Sequence, residues 1–282
     1  NGVDLYRAMT GREVEISSVN LADFFIQVFR HQPLPGGTIR RKSKKKITLA
    51  GLYTVVAKEL KYISIDSLFL QNGSFEFFGS PTDARPELRI GKVNLEMSKF
   101  RLDSLTFSDP DRIFYAKAIE LDLQRITLFL RDGIHCINAS SINFSTHRSQ
   151  IEIKEATIFP DRKKNLLLPE NRRNTMFVNL PQLSFSGINL KKVFNRRILD
   201  FETLIISEPE VSYTRFRRSK NPDARFRQPE DFFEEENEEV VYNLLKKYLW
   251  VVKGNTIDIR HGLVKFSTGQ NDRETPLATS SF

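Results

Sequence analysis

The residues that most often perform chemistry are few and scattered in this sequence. The single cysteine, Cys136, directly follows His135, and a thiol beside an imidazole could act as a nucleophile. Adjacent residues of a strand point to opposite faces of a sheet, so we do not expect these two side chains to touch. A small, buried, unreactive thiol is therefore the favoured interpretation of Cys136.

Metal sites and acid–base sites are no better supported. The four histidines lie on different segments without ligand spacing: His31, His135, His147 and His261. Asp66 and Asp103, each followed by Ser-Leu, fit strand edges or turns better than a pair of catalytic carboxylates. The chain has no P-loop, nucleophile elbow or dinucleotide-binding motif. We therefore predict a protein that is not an enzyme and that uses no metal and no cofactor.

A basic run is the one concentration of charge that could bind a partner. Its cations are Arg40, Arg41, Lys42, Lys44, Lys45 and Lys46. It could be a solvated loop, a contact for anionic lipid headgroups worth about 1 kcal/mol per cation, or a nucleic-acid contact. No aromatic residue lies within the run and no RNA-binding motif is present, so we predict that nucleic acid is not a partner.

Composition points to a large apolar sheet. The 282 residues are 40% hydrophobic and include 23 Phe, with 43 Lys+Arg against 35 Asp+Glu and a net charge of +8. A wholly disordered chain would lack this apolar content, and no apolar run reaches the roughly 18–20 residues of a membrane-spanning helix. The ends carry neither an initiator Met nor a signal segment, and we expect the chain to be part of a longer protein.

Alternating apolar residues predict strands through most of the chain. They occur at every second position in residues 63–77, 88–107, 113–130, 134–159, 176–186 and 199–213. Asn72-Gly73 predicts either a hairpin or, in a long bent strand, a bulge. The alternation changes parity near Gln124-Arg125, which predicts a bulge or bend there.

Helical spacing and charge divide the chain further. We predict a segment over 1–214 with helical elbows near 19–30, 47–61 and 187–197, and a charged, mobile insert over 215–238. Residues 239–282 begin a further helix–strand repeat, with its helix at 239–252. The unit at 49–77 recurs at 238–266 under a shift of 189 residues, for example Phe77 on Phe266. A shift of 169 places residues 19–21 on 188–190. Such repeats suggest a chain that extends by repetition.

Two strings carry a family resemblance: the elbow and strands over 186–211, beginning SGINL, and the strand IDSLFLQNGSF over 65–75. They resemble the periplasmic region of bacterial AsmA-like proteins, relatives of the TamB and YhdP type. The resemblance covers most of 14–214 and returns at 238–267; the basic run and the charged insert depart from it. It implies a bridge-like lipid-transfer groove in the bacterial periplasm, an inner-membrane anchor outside this chain, and a role in outer-membrane biogenesis.

The predicted fold is mainly β with a few short helices. It is a long, twisted antiparallel sheet forming a half-open, repeat-built groove, with a closed β-sandwich as the alternative. The groove would hold the acyl chains of a phospholipid or another lipid against Leu68, Leu70, Phe75, Phe77, Val93, Leu95, Met97, Ile119, Leu121 and Leu123. Other envelope proteins are further expected partners. The alternative function is an adhesin-type interaction module without a lipid ligand.

Overall fold

The chain folds as a mainly β protein. The computed structural model describes residues 12–30, 60–103, 105–106, 109, 111–130, 132–166, 174–216, 251–270 and 273–281. The thirteen strands of these residues belong to one sheet that is not closed. This confirms the predicted fold class; the sheet is mixed, however, rather than wholly antiparallel, and the described strands do not form the sandwich kept as the alternative.

Two compact units share the chain. Residues 1–126 and 142–147 form the first unit, and residues 127–141 and 148–282 form the second. The first unit contains β1 (Glu13–Ala22), β2 (Phe25–Phe29), β3 (Tyr62–Phe78) and β4 (Leu88–Leu102). β5 (Ala118–Phe129) and β6 (His135–Ser145) contribute residues to both units. The second contains β7 (Gln150–Pro160), β8 (Thr175–Ser186), β9 (Ile198–Ser207), β10 (Glu210–Phe216), β11 (Val251–Arg260), β12 (Leu263–Gln270) and β13 (Arg273–Ser281), with helices α1 (Arg162–Leu166) and α2 (Leu190–Arg196).

In the first unit, β3 lies between two different kinds of neighbour. β1 and β2 run parallel to it, and β4 runs antiparallel. β1 and β2 follow one line with a bend at Asp23, whose φ is +54°. β3 has a bulge opposite this bend, where Asn72 has φ +54° and the pairing with β4 shifts on both sides of Gly73. Asn72-Gly73 is therefore a bulge in one long strand, and not a hairpin.

The helix predicted over residues 19–30 is wrong, because β1 and β2 occupy this segment. Its apolar residues alternate as Val19 and Leu21, then as Ile26 and Val28. The bend at Asp23 shifts the parity between these two pairs. Strand alternation interrupted in this way leaves residues at spacings of three and four, which resemble one face of a helix.

In the second unit, β8 pairs antiparallel with β7, β9 and β10. β9 and β10 in turn pair parallel with β11 and β12, and β13 pairs antiparallel with β12. The elbow predicted at 187–197 is confirmed by α2. Its first turn is capped by the side chain of Asn189, which accepts a hydrogen bond from the Lys192 N–H at 3.1 Å, and it ends at Arg197 with φ +56°.

The internal repeat is real, but one of its two predicted shifts is wrong. Under the shift of 189, Tyr62–Phe78 coincides with β11 and β12, and the bulge residue Asn72 falls on His261, which has φ +55°. β1 and β2 fall on β9 and β10 under a shift of 185, and not under 169. The pairing Glu13 with Tyr62 then becomes Ile198 with Val251.

Backbone conformations repeat under the same shift of 185. Asp23 (φ +54°) falls on Glu208 (φ +50°), and Arg12 (φ +56°) falls on Arg197 (φ +56°). The shift of 169 fails because residues 19–21 lie within a strand, whereas residues 188–190 lead into α2.

Several predictions fall wholly or mainly outside the described residues. These are the elbow at 47–61, the basic run and the charged insert. Most of the helix predicted at 239–252 also lies outside, and its last two residues, Val251 and Val252, are in β11. Within the described residues, the irregularity predicted near Gln124-Arg125 is present, since Arg125 has φ +55° inside β5.

Candidate apolar binding face

The apolar residues predicted on β3 and β4 are direct cross-strand neighbours. Leu68 lies opposite Met97, and Leu70 lies opposite Leu95. Beyond the bulge, the partners are Gly73 with Val93, Phe75 with Ile90, and Phe77 with Leu88. Directly opposite residues project to the same face of a sheet, so each pair except Gly73 with Val93 forms one rung of apolar side chains.

The bulge keeps these rungs on one face. Leu70 and Gly73 are an odd number of residues apart, yet their partners Leu95 and Val93 are two residues apart and share a face. The extra residue at Asn72 therefore resets the alternation, so that Phe75 and Phe77 return to the face of Leu70. From Leu68 to Phe77 this gives an apolar row about 30 Å long.

β1 and β2 widen the same face. Val19 and Leu21 lie beside Leu68 and Leu70, and Ile26 and Val28 lie beside Phe75 and Phe77. We name the apolar face of the first unit by these thirteen residues: Val19, Leu21, Ile26, Val28, Leu68, Leu70, Phe75, Phe77, Leu88, Ile90, Val93, Leu95 and Met97. Sequence reasoning missed the four on β1 and β2, because it assigned that segment to a helix.

The predicted residues of β5 project to the same side as those of β4. Asn94 donates a side-chain hydrogen bond to Asp122 at 3.1 Å, so these two residues share the opposite face. Alternation then places Leu121 and Leu123 on the side of Val93 and Leu95. Ile119 is only 4% exposed and belongs to the packed core.

The apolar face is partly accessible to solvent. The seven predicted residues on β3 and β4 are all half-buried. Leu21, Ile26 and Val28 on the edge strands are exposed to 49%, 44% and 39%. The described residues of the first unit include no helix that could cover this surface. Accessible apolar area on this scale commonly marks a binding surface.

The other face of the same strands carries ion pairs and amides together with two exposed phenylalanines, since Phe25 and Phe29 alternate with Ile26 and Val28 and are 58% and 46% exposed. Arg89 and Glu76 form an ion pair at 2.8 Å across β4 and β3, and Gln27 of β2 donates to Glu76 at 3.2 Å. Gln124 donates to Asp122 at 2.8 Å within β5. The ion pairs and amides named here therefore lie on one face, and the rungs of apolar side chains on β3 and β4 lie on the other.

Polar groups lie at both ends of β3. At one end, Tyr62 donates a hydrogen bond to the Glu15 carboxylate, and the bond raises the pKa of Tyr62 to about 12, with burial and the nearby Glu13 charge adding to the effect. The Arg101 guanidinium lies over the Tyr62 ring at 4.7 Å. At the other end, Arg30 lies over the Phe77 ring at 5.4 Å. The apolar row is thus bounded by charge at each end.

The second unit repeats the apolar face residue by residue. Leu204 and Ile206 of β9 lie beside Ile257 and Ile259 of β11, as Val19 and Leu21 lie beside Leu68 and Leu70. After the bend, Val211 lies beside Val264, and Tyr213 lies beside Phe266. Two stretches of chain about 185 residues apart therefore build the same apolar surface.

His135 is bonded both to Asp132 and to the backbone of β8. Its Nδ1 bonds to the Asp132 carboxylate, and its Nε2 accepts the Met176 N–H at 3.1 Å, so both ring nitrogens are occupied. Burial opposes ionisation of Asp132, but the bonds from the His135 ring and from the N–H groups of His135 and Ile134 outweigh it and lower the Asp132 pKa to about 2. Cys136 is buried.

The described residues contain neither a cluster of metal ligands nor a membrane-spanning helix. No group of three or more His, Cys, Asp or Glu side chains could hold a metal ion. No helix there has the length and apolar character needed to cross a membrane. The cations predicted to contact headgroups, residues 40–46, lie outside the described residues.

Comparisons with known proteins do not supply a family. Neither protein-family models, nor curated proteins, nor solved structures yield a match to this chain.

Proposed function

We propose that this protein is a non-enzymatic lipid-binding segment of the bacterial periplasm that holds acyl chains against the apolar face. The observation that carries the proposal is the set of apolar rungs across β1 to β4, half-buried or exposed, on the side of the sheet opposite its cross-strand ion pair and amides. The resemblance to AsmA-like proteins supports the same function, and extends it to lipid transport or envelope homeostasis by a protein anchored in the inner membrane outside this chain.

The physical basis of binding is the transfer of hydrocarbon out of water. Each CH₂ group that leaves water for an apolar surface contributes about 0.8 kcal/mol. Acyl chains offer no hydrogen bonds, so the surface that receives them must not present unpaired polar groups. The rungs Leu68–Met97 and Leu70–Leu95 satisfy this requirement, because polar side chains of β4 such as Asn94 are on the other face. Headgroups would stay in solvent.

A charge placed on the apolar face tests the proposal. We expect the purified full chain to carry phospholipid in native mass spectrometry and to bind a phospholipid with a pyrene-labelled acyl chain. Leu95→Asp should weaken binding of the labelled lipid at least tenfold, because the bound acyl chain would remove water from the new carboxylate. Leu121→Asp should act in the same direction.

Ser98→Asp is the matched control, since it adds the same charge to β4 three residues away and on the opposite face. Circular dichroism and urea unfolding would establish that each variant is folded. The proposal fails if the unsubstituted chain neither carries nor binds lipid, or if Leu95→Asp and Ser98→Asp weaken binding equally.

A further inference from the structure

The outer edge of β1 and β2 resembles a strand from which one neighbour is missing. Among the described residues, these strands pair only with β3. Their counterparts β9 and β10 have the corresponding parallel neighbours, β11 and β12, but also pair with β8 on the other side. β8 pairs in one register across both, from Ser186 opposite Thr203 to Thr175 opposite Thr214. The shift of 185 transfers this stretch to residues 18–29.

Side-chain exposure reports the same difference. Leu21 and Ile26 are 49% and 44% exposed, whereas their counterparts Ile206 and Val211 are half-buried. In the second unit, the positions opposite Ile206 and Val211 on β8 are Leu183 and Val178. The edge of the first unit thus presents apolar side chains that an antiparallel strand with the same alternation would cover.

This edge lacks the usual protection against strand addition. Residues 16–29 contain a single charged side chain, Asp23. β13, which among the described residues pairs only with β12, contains Arg273, Glu274 and Pro276. Charges and proline are the common means of blocking an exposed strand edge, since proline has no N–H to offer.

We propose that the outer edge of β1 and β2 is a docking site for an extended, uncharged peptide segment with apolar residues at alternate positions. The segment pairs antiparallel with residues 18–29, across the bend at Asp23, as β8 pairs with β9 and β10. Main-chain hydrogen bonds supply affinity, and the apolar side chains select the partner. This inference does not depend on lipid binding.

Disulfide capture tests the register. The probe is a synthetic peptide with the sequence of β8, TMFVNLPQLSFS, and the protein is the full chain with Cys136→Ala. Leu21→Cys should cross-link a peptide carrying Leu183→Cys, and Ile26→Cys should cross-link one carrying Val178→Cys. Directly opposite residues have Cα atoms about 4.5–5.5 Å apart, within disulfide range, whereas the exchanged combinations are about 17 Å apart. The matched combinations should therefore react at least tenfold faster.

Ile206→Cys is the control, because β8 already lies on that edge and should exclude the peptide. The proposal is overturned if the matched and exchanged combinations react equally or not at all. It is also overturned if a mixture of the Leu21→Cys and Ile26→Cys proteins forms disulfide-linked dimers without peptide, since the occupant would then be a second copy of this chain. Circular dichroism of each variant establishes that the sheet is intact.

Discussion

The same arrangement of strands occurs in two settings. In the first unit β1 and β2 run beside β3, and in the second unit β9 and β10 run beside β11 and β12. Each consists of a bent strand running parallel to another, with left-handed residues at matching positions and the same apolar rungs. Their accessibility differs where their neighbours differ. Leu21 is exposed because no described strand corresponds to β8, and Ile257 is 60% exposed although its counterpart Leu68, flanked by β4, is half-buried.

This difference shows that the exposure of an apolar side chain in an open sheet depends on its position and on the strands beside it, and not on the residue type alone. At the edges of this sheet, apolar side chains are covered only where a neighbouring strand is present. Accessible apolar side chains at the edges follow from the same repeat that builds the interior. The repeat therefore predicts which positions a further strand would cover, and the variants below test whether the two settings are otherwise alike.

The largest effect should come from filling the contact at the first bulge. A Cβ atom on Gly73 would lie 1.9 Å from the Phe24 ring. Gly73→Val should therefore destabilise the first unit by about 3 kcal/mol through overpacking. Phe24→Ala in the same chain should recover part of this loss, as expected for residues in contact. The measurement is urea unfolding of the two single variants and the double variant.

The corresponding site of the second unit is Gly262, opposite Pro209 instead of Phe24. Gly262→Val therefore tests whether glycine is required by the backbone of the bulge or only by the aromatic ring that packs on it in the first unit. The interpretation is contradicted if Gly73→Val is neutral, or if Phe24→Ala and Gly73→Val have strictly additive effects.

The sequence pattern predicts which residues share an apolar face better than it predicts which strands pair. Phe75 and Phe77 could be placed on Val264 and Phe266, and on one face, because strand alternation is local and the shift of 189 needs no gap. The parallel neighbour of β3 could not be predicted, since that pairing joins residues about 49 apart and depends on a crossover.

The helix wrongly predicted over 19–30 has a specific cause. Phe24 belongs to the bend rather than to either apolar row, and its ring packs on Gly73. Adding Phe24 to Leu21 and Val28 completes a helical spacing by coincidence. The useful signal was the shift of 185, under which Gly2-Val3-Asp4-Leu5 aligns with Gly187-Ile188-Asn189-Leu190. The two halves of the repeat carry different shifts, so a search for one constant period misses it.

A second prediction concerns β8, the strand that distinguishes the two settings. Asp132→Asn should destabilise the second unit by about 2 kcal/mol at pH 7, because the carboxylate accepts hydrogen bonds from Ile134, His135 and the His135 ring. The His135 ring then loses the partner that orients it toward Met176 of β8.

The pH dependence of this effect follows from the direction of the shift. The folded-state pKa of Asp132 is about 2, below its ordinary value of 3.8, so its contribution is complete above about pH 4 and is lost as the pH falls toward 2. Urea unfolding at several pH values should show the two proteins converging in that window. A stability difference that stays constant from pH 7 to pH 2 would contradict this role for the carboxylate.

The smallest effect should come from the elbow that leads into β9. The Asn189 side chain caps α2 by accepting the Lys192 N–H, and Asn189→Ala should cost about 1 kcal/mol. Asn189→Ser, which keeps an acceptor, should restore most of the loss. Because the cap is local, amide hydrogen exchange should quicken at 198–207 of β9 and remain unchanged at 13–22 of β1. Equal acceleration in both strands would mean that the two copies of the repeat do not open separately, and that the comparison between them cannot be made one unit at a time.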